Sequence, residues 1–174
     1  AIEPSLVVAG NQKKPFRTWK NEGFELVSFQ KKEYQLGNFK ATFNPEMVRN
    51  INEIKSNLTT ENELVVDARS EGRFNGTVPD PRPDLKSGHI PNSINLPYTE
   101  VLENGKFKSR ETLKTIFSDL QIENNPLIFT CGSGITACIL MLASELVSKN
   151  QKAVYDGSWT EWASAKDTPI QTKA

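Results

Sequence analysis

The chain has 174 residues, and its 21 lysines and arginines balance its 21 aspartates and glutamates, so the formal net charge is zero. This length suits one domain of moderate size with its own core, together with an additional segment. The charge balance gives no reason to expect nucleic acid or a membrane surface as a partner. The longest apolar run, Ala137 to Leu146, is too short to span a bilayer. We therefore expect a soluble protein that acts on a small molecule.

The first 43 residues form a separate region in front of the main domain. A short apolar run from Leu6 to Gly10 predicts a buried strand, and Phe16 to Gly23 predicts a short amphipathic helix. The polar residues that follow lack sustained periodicity and predict a linker. We therefore divide the chain into residues 1–27, a linker at 28–43 and a main domain at 44–174.

Predicted helices and strands alternate along the main domain. Asn44 can cap a helix and Pro45 can occupy its first position, so a helix is predicted from Pro45 to about Lys55. A second helix is predicted after Ser109, because apolar residues recur on one face beyond this capping residue. The predicted strands are Leu64 to Ala68, Ile94 to Pro97, Leu127 to Thr130 and Ala153 to Gly157. This alternation predicts an α/β fold with a central, mainly parallel sheet flanked by helices.

A glycine- and proline-rich segment, Gly72 to Pro91, predicts a loop because it is too irregular for a long helix or strand. Parallel sheets of this kind gather their ligands at the carboxyl ends of the strands. We expect the loop to lie at the same edge as Cys131. Its arginines, Arg69, Arg73 and Arg82, either face that residue together or form ordinary ion pairs, and their number beside a nucleophile favours the first alternative. Arg69 directly follows a predicted strand and is expected to contribute to stability.

The candidate nucleophile is Cys131, which ends a predicted strand and is followed by Gly132 and Gly134 before a helix begins. Such a loop directs consecutive backbone N–H groups at the sulfur, and the helix adds the positive end of its dipole, so the thiolate is favoured. The alternative is a small buried hydrophobic residue that ends a core strand. The two glycines permit a close approach of the backbone and favour the nucleophile.

The second cysteine, Cys138, lies seven residues later on the same predicted helix. The two Cα atoms would be roughly 10 Å apart, which is too far for a disulfide, so we expect two free thiols. Free thiols are typical of a reducing compartment, and we expect a cytoplasmic or mitochondrial location. Cys138 is predicted to be buried rather than to act as a resolving thiol. A single histidine, His89, and two cysteines are too few to predict a zinc site, and we expect no cofactor.

Seven motifs, in this order, resemble the C-terminal catalytic domain of the 3-mercaptopyruvate sulfurtransferases, within the rhodanese superfamily. They are Val66-Asp67-Ala68-Arg69, Gly72-Arg73-Phe74, Gly76-Thr77, Pro79-Asp80-Pro81-Arg82, Gly88-His89-Ile90-Pro91, Cys131-Gly132-Ser133-Gly134-Ile135-Thr136-Ala137 and Tyr155-Asp156-Gly157-Ser158-Trp159-Thr160-Glu161-Trp162. The resemblance covers about Asn44 to Ala163 and implies a rhodanese-like fold. Thiosulfate-preferring members generally carry two basic residues after the cysteine, where this chain has Gly132 and Ser133.

The resemblance implies sulfur transfer in two steps. The Cys131 thiolate would take sulfur from 3-mercaptopyruvate, releasing pyruvate, and the resulting persulfide would pass sulfur to a thiol acceptor such as thioredoxin, or to cyanide. Arg73 and Arg82 would hold the carboxylate and carbonyl of the substrate. Ser133 would be catalytic as a proton relay, or would only hydrogen-bond the backbone of the loop. The remaining substrate-binding positions implied are Gly132, Gly134, Ile135 and Thr136.

In this family the pocket lies between two rhodanese-like domains, and the start of the chain resembles the end of the first. Residues 1–27 are therefore predicted to be the tail of a preceding rhodanese-like domain, with 44–174 as the catalytic domain. The missing N-terminal domain is an expected partner. Without it, we expect the apolar residues near the start of the chain to fold back or to cause self-association.

Three other functions remain to be weighed. A thiosulfate:cyanide sulfurtransferase would use the same cysteine with another donor, and a non-catalytic rhodanese-like module would bind a partner without needing Cys131. A phosphatase with a related loop needs an arginine six residues after the cysteine, where this chain has Ala137. A Cys-His dyad with His89 is not favoured, because this residue lies in a turn that the superfamily uses structurally.

Overall fold

The computed structural model describes residues 20–26, 37–120, 122 and 125–173. The predicted strand at Leu6 to Gly10 and the residues before Lys20 of the predicted helix lie outside these ranges. The Gly23 N–H donates to the Lys20 carbonyl at 3.2 Å and closes a turn. Residues 37–43 are exposed and contain no helix or strand.

A parallel sheet of five strands forms the centre of the described chain. Its strand order is β1-β7-β6-β2-β3, and a separate antiparallel pair joins β4 to β5. The strands are β1 Val48–Arg49, β2 Leu64–Asp67, β3 Ile94–Asn95, β4 Leu102–Glu103, β5 Lys106–Phe107, β6 Leu127–Thr130 and β7 Lys152–Tyr155. The α-helices are α1 Ile51–Thr60, α2 Glu71–Asn75, α3 Arg110–Asp119, α4 Ile135–Glu145 and α5 Ser158–Ser164. The predicted α/β fold with a parallel sheet flanked by helices is confirmed.

Helices cover both faces of the sheet. Neighbouring residues of a strand point to opposite faces and therefore pack with different helices. In β2, Val66 packs with residues of α3 and α4, whereas Val65 packs with residues of α1 and α5. Both residues are buried, with 0% and 3% exposure, which explains why the strand is a continuous apolar run. None of the helices in the described ranges combines the length and the apolar character needed to cross a bilayer.

The predicted helix from Pro45 to Lys55 is wrong in its first half. Residues Pro45–Met47 form a short 3-10 turn, and β1 then pairs in parallel with β7 before helix α1 begins. The α-helix is capped by Asn50, whose side chain accepts N–H groups of the first turn while Glu53 bonds back to the Asn50 N–H at 2.7 Å. Pairing with a distant strand therefore overrode the local helical pattern.

A buried ion pair lies at the carboxyl end of β2. Arg69 Nη2 lies 2.6 Å from Asp67 Oδ2, and the two side chains are each only 1% exposed. The guanidinium also donates to the Gly88 carbonyl at 2.8 Å and lies 4.2 Å from the ring centroid of Trp159. Arg69 thus connects the end of a strand, the Gly72 to Pro91 loop and helix α5.

Arg69→Ala should lower the free energy of unfolding by about 3–5 kcal/mol, because it leaves the Asp67 carboxylate buried without its partner. The control is Arg110→Ala, at an exposed position on α3, which should change stability by less than about 0.5 kcal/mol. Denaturant unfolding of both variants measures the difference. Equal stability of the two variants would show that the buried pair contributes nothing.

Candidate active site

Cys131 directly follows β6 and is 2% exposed. The chain then turns through Gly132, Ser133 and Gly134, and α4 begins at Ile135. Gly134 has a φ of +80°, and a side chain there would meet the Asp156 carbonyl oxygen at 3.0 Å. A glycine is therefore required at the end of this turn, as the sequence predicted from the need for close backbone approach.

The hydroxyl of Ser158 holds the cysteine loop in place. It accepts the N–H of Cys131 at 3.2 Å and the N–H of Gly134 at 3.0 Å, and it donates to the Tyr155 carbonyl at 2.9 Å. Ser158 is fully buried and adopts a φ of +51°, which is unfavourable for a residue with a side chain. The three hydrogen bonds use the one donor and both acceptor sites of the hydroxyl and stabilise this conformation.

The hydrogen bonds of Ser158 change the set of N–H groups expected to point at the Cys131 sulfur. The Gly134 N–H donates to Ser158, so it is not one of the predicted donors that point at Cys131. Ile135 and Thr136 open helix α4, and the first N–H groups of a helix have no acceptor within it. These two N–H groups and the positive end of the α4 dipole are features that can contribute to the predicted anion cradle.

The start of α5 contacts the same loop through its backbone. The Trp159 N–H donates to the Cys131 carbonyl at 2.9 Å, and the Thr160 N–H donates to the Gly132 carbonyl at 3.0 Å. The Thr160 hydroxyl also donates to the Gly132 carbonyl, at 2.5 Å. Two of the loop carbonyls are therefore fixed by residues that lie 28 positions later in the chain.

The two predicted substrate arginines converge on Gly132. A Cβ at Gly132 would lie 3.3 Å from Nη2 of Arg73, so the glycine allows this guanidinium to approach the loop. Arg82 donates from Nη1 to the Thr160 hydroxyl, which itself bonds Gly132. The structure therefore brings together the cysteine loop and both arginines, as their position at one edge of the sheet predicted.

A buried carboxylate, Asp80, connects the two arginines and was not assigned a role from the sequence. Its Oδ2 accepts from Arg73 Nη2 at 2.5 Å, and its Oδ1 accepts the backbone N–H of Arg82 at 3.0 Å. Burial by itself would raise the pKa of Asp80, but these hydrogen bonds and the charges of Arg73 and Arg69 outweigh it and lower the pKa. The proline on either side of this aspartate in the Pro-Asp-Pro motif was the available signal for a fixed turn.

The other predicted site residues lie at the surface of the loop. Ser133 is exposed, Ile135 is 53% exposed and Thr136 is half-buried. Ile135 is the large apolar residue of this group, and Val78 on the opposite loop is also exposed, at 49%. The cysteine loop and the Gly72 to Pro91 loop thus each expose a large apolar side chain.

Cys138 is exposed on α4, so the prediction that it is buried is wrong. Desolvation of its thiol, followed by the proximity of Cys131 and Asp156, raises the pKa of Cys138. A raised pKa keeps this thiol protonated at neutral pH, which makes it a weak nucleophile despite its exposure. Both cysteines are free, as expected from their spacing.

His89 has a structural environment. Its Nδ1 lies 2.8 Å from the Phe74 carbonyl oxygen, its ring stacks on Phe74 at 3.8 Å, and its backbone forms a bridge with Gln171. These contacts engage Nδ1 and one face of the ring in packing against Phe74. Within the described ranges, no three His, Cys, Asp or Glu side chains are grouped so that they could hold a metal ion.

Asp80→Asn should lower the free energy of unfolding at pH 7 by about 2 kcal/mol, because it removes a charge-assisted hydrogen bond to Arg73. The native pKa of Asp80 is lowered, so the stability contributed by its charge is present at neutral pH and is lost as the pH falls below about 4. The difference from the parent protein should therefore narrow in acid. The measurement is denaturant unfolding between pH 7 and pH 2.

The exposed Asp84 on the same loop provides the matched control. Asp84→Asn should leave the stability at pH 7 within about 0.5 kcal/mol of the parent. A deficit of Asp80→Asn that stays constant down to pH 2 would contradict the role given to its charge.

Comparison with known proteins gives a consistent result. A family model described as a rhodanese-like domain matches residues 50–165. The chain is 42% identical over 149 residues to a 3-mercaptopyruvate sulfurtransferase from Mus musculus, a match that covers 84% of the chain and 50% of that protein. It is 41% identical over 150 residues to a thiosulfate sulfurtransferase from Rattus norvegicus, with the same coverage of 84% and 50%. The chain spans about half the length of the curated relatives it matches.

One solved structure has a similar sequence identity to this chain. It is the cryo-EM structure of the yeast mitochondrial complex I sub-stoichiometric sulfur transferase subunit, with 40% identity and a TM-score of 0.68. The match covers 78% of this chain and 49% of that one. The family model extends over strands β2 to β7, the cysteine loop and the helix α5 that holds this loop. The chain therefore belongs to the family of rhodanese-like domains.

Proposed function

We propose that the protein is a sulfurtransferase that takes sulfur from 3-mercaptopyruvate through a persulfide on Cys131. The observation that carries this proposal is the convergence of Arg73 and Arg82 on Gly132, next to a cysteine at the start of a helix. Two guanidinium groups beside a thiolate are suited to a small anionic sulfur donor. The similarity to sulfurtransferases over half their length supports the same reaction class.

The uncharged loop favours 3-mercaptopyruvate over thiosulfate as the donor. Gly132 and Ser133 leave the loop without cations next to the sulfur, so the positive charge lies on Arg73 and Arg82. A donor with a carboxylate and a carbonyl can accept the paired N–H groups of a guanidinium. The Nε–H of Arg73 is buried and has no acceptor among the described residues, which supports an anionic ligand at this position.

The proposed reaction balances in two steps. The Cys131 thiolate attacks the sulfur of 3-mercaptopyruvate, the carbon–sulfur bond breaks, and its electron pair leaves on the carbon as the enolate of pyruvate. This enolate takes up a proton, for which the exposed hydroxyl of Ser133 is the proposed relay. A thiol acceptor such as thioredoxin, or cyanide, then attacks the outer sulfur and regenerates the Cys131 thiolate.

A thiosulfate:cyanide sulfurtransferase is the second candidate. It is favoured by the 41% identity to a protein named thiosulfate sulfurtransferase, which nearly equals the identity to the mercaptopyruvate enzyme. The two functions share Cys131 and differ in the donor, so a comparison of the two donors on this chain separates them. A non-catalytic module would transfer sulfur from neither donor.

We propose a reducing compartment, either the cytoplasm or the mitochondrion. Two free thiols, one of them exposed, support this location. A similar protein from Arabidopsis thaliana, with 38% identity over 136 residues, is named as mitochondrial.

Cys131→Ser should abolish sulfur transfer and leave the fold intact, because a hydroxyl has a similar size but attacks sulfur poorly. Cys138→Ser is the matched control and should retain transfer within about twofold, since its thiol is held protonated. The measurement is thiocyanate formation from 3-mercaptopyruvate and cyanide, with circular dichroism to verify folding. Transfer that survives in Cys131→Ser and is lost in Cys138→Ser would reverse the assignment of the nucleophile.

Arg73→Ala and Arg82→Ala should each lower kcat/KM for 3-mercaptopyruvate by about tenfold to a hundredfold, the loss expected for one charge-assisted contact. The value for thiosulfate should fall less, because thiosulfate offers no carboxylate and carbonyl in one plane. The exposed Arg110→Ala serves as the control for loss of a positive charge. Equal losses for the two donors would exclude a role in carboxylate binding.

We also propose that a preceding rhodanese-like domain covers the edge that carries Cys131. The exposed apolar side chains of Val78 and Ile135, one on each of the two loops, support such a contact. Adding the N-terminal domain of a 3-mercaptopyruvate sulfurtransferase, linked or separate, should raise turnover and reduce any self-association of the chain. Unchanged turnover together with an unchanged oligomeric state would show that the chain acts without this domain.

A further inference from the structure

The side chain of Thr160 lies between the cysteine loop and Arg82. Its hydroxyl donates to the Gly132 carbonyl at 2.5 Å and accepts an N–H from Nη1 of Arg82. A hydroxyl has a single proton and can accept as well, so both hydrogen bonds form at the same time and each has a defined direction. This one side chain therefore connects a proposed substrate-binding arginine to the loop that carries the nucleophile.

The contact is unusual for a threonine in a helix. Ser164, one turn later in α5, donates its hydroxyl to the Thr160 carbonyl at 2.6 Å, which is the ordinary bond to the residue four positions earlier. Thr160 instead donates across to a different part of the chain. Its hydroxyl therefore bonds the cysteine loop rather than the backbone of α5.

The position of the loop does not depend on this hydroxyl alone. The backbone N–H of Thr160 also donates to the Gly132 carbonyl, and the Trp159 N–H donates to the Cys131 carbonyl. Both bonds remain when the side chain is changed. The specific effect of the hydroxyl is therefore on Arg82, an exposed residue whose long side chain would otherwise adopt many conformations.

We propose that Thr160 is a positioning residue that holds the Arg82 guanidinium next to the cysteine loop and thereby strengthens binding of the carboxylate of the sulfur donor. This inference rests on the proposed function for the role of Arg82. One of the five N–H donors of Arg82 is given to Thr160, and none of the others has an acceptor in the part of the chain that the structure describes. Orienting the guanidinium before binding lowers the entropy lost when the carboxylate binds.

Four variants test the proposal: Thr160→Val, Thr160→Ser, Arg82→Ala and the double variant Arg82→Ala/Thr160→Val. Valine has nearly the shape of threonine but neither donates nor accepts. We expect Thr160→Val to raise KM for 3-mercaptopyruvate about threefold to tenfold with little change in kcat. Thr160→Ser keeps the hydroxyl and should stay within about twofold of the parent. In the Arg82→Ala background, the valine change should add nothing further.

A second readout does not need turnover. Pyruvate carries the same carboxylate and carbonyl as the donor, and it should protect Cys131 from iodoacetamide, with labelling of Cys131 followed by peptide mass spectrometry. The concentration for half-protection should rise in Thr160→Val by the same factor as KM and should be restored in Thr160→Ser. The control is Thr115→Val on α3, which also removes a hydroxyl bonded to a backbone carbonyl and should change neither value.

Three results would overturn the proposal: an unchanged KM in Thr160→Val, a serine variant as impaired as the valine variant, or additive losses in the double variant. Each of them concerns the variants relative to the parent chain. Failure of the proposed function would be visible in the parent chain alone, as sulfur transfer from 3-mercaptopyruvate that is no better than transfer from thiosulfate. The two failures are therefore distinguishable.

Discussion

The geometry of the candidate site depends on one buried hydroxyl. Ser158 accepts N–H groups from both ends of the turn between Cys131 and Gly134 and donates to the end of β7. Removing this group would leave two buried N–H donors without an acceptor, which costs more than a hydrogen bond contributes. The strained backbone at Ser158 is the local cost of placing this hydroxyl beneath the loop.

Arg73 and Arg82 are likewise held by a buried side chain that has several hydrogen-bond partners. Asp80 accepts from the Arg73 side chain and from the Arg82 backbone, and its charge is maintained in spite of burial because both partners are donors. Arg69, in contrast, forms a buried ion pair with Asp67 and donates to the Gly88 carbonyl. Arginines that are close together in the sequence therefore have different roles. Arg69, which pairs with Asp67, contributes to stability, whereas Arg73 and Arg82, which Asp80 holds, have a proposed role in binding.

The proposed nucleophile is the buried cysteine and not the exposed one. Cys138 is the accessible thiol, but desolvation and neighbouring negative groups keep it protonated. Cys131 is almost completely buried at the end of β6, and the loop that follows it leads to the start of α4 and is approached by Arg73 at Gly132. The proposed donor carries its own negative charge, which the two arginines can compensate.

The sequence alone determined the layered α/β fold, the position of Cys131 at the end of a buried strand and the placement of Arg73 and Arg82 at the same edge. These follow from local patterns and from the rule that parallel strands end on one side. Only the tertiary structure decided that residues 48–49 are a strand, that Cys138 is exposed, and that Ser158, Thr160 and Asp80 support the site. The reason is physical: each of these features depends on a partner distant in the chain or on the orientation of one side chain. Neither a contact with a distant residue nor the orientation of one side chain produces a periodic pattern in the sequence.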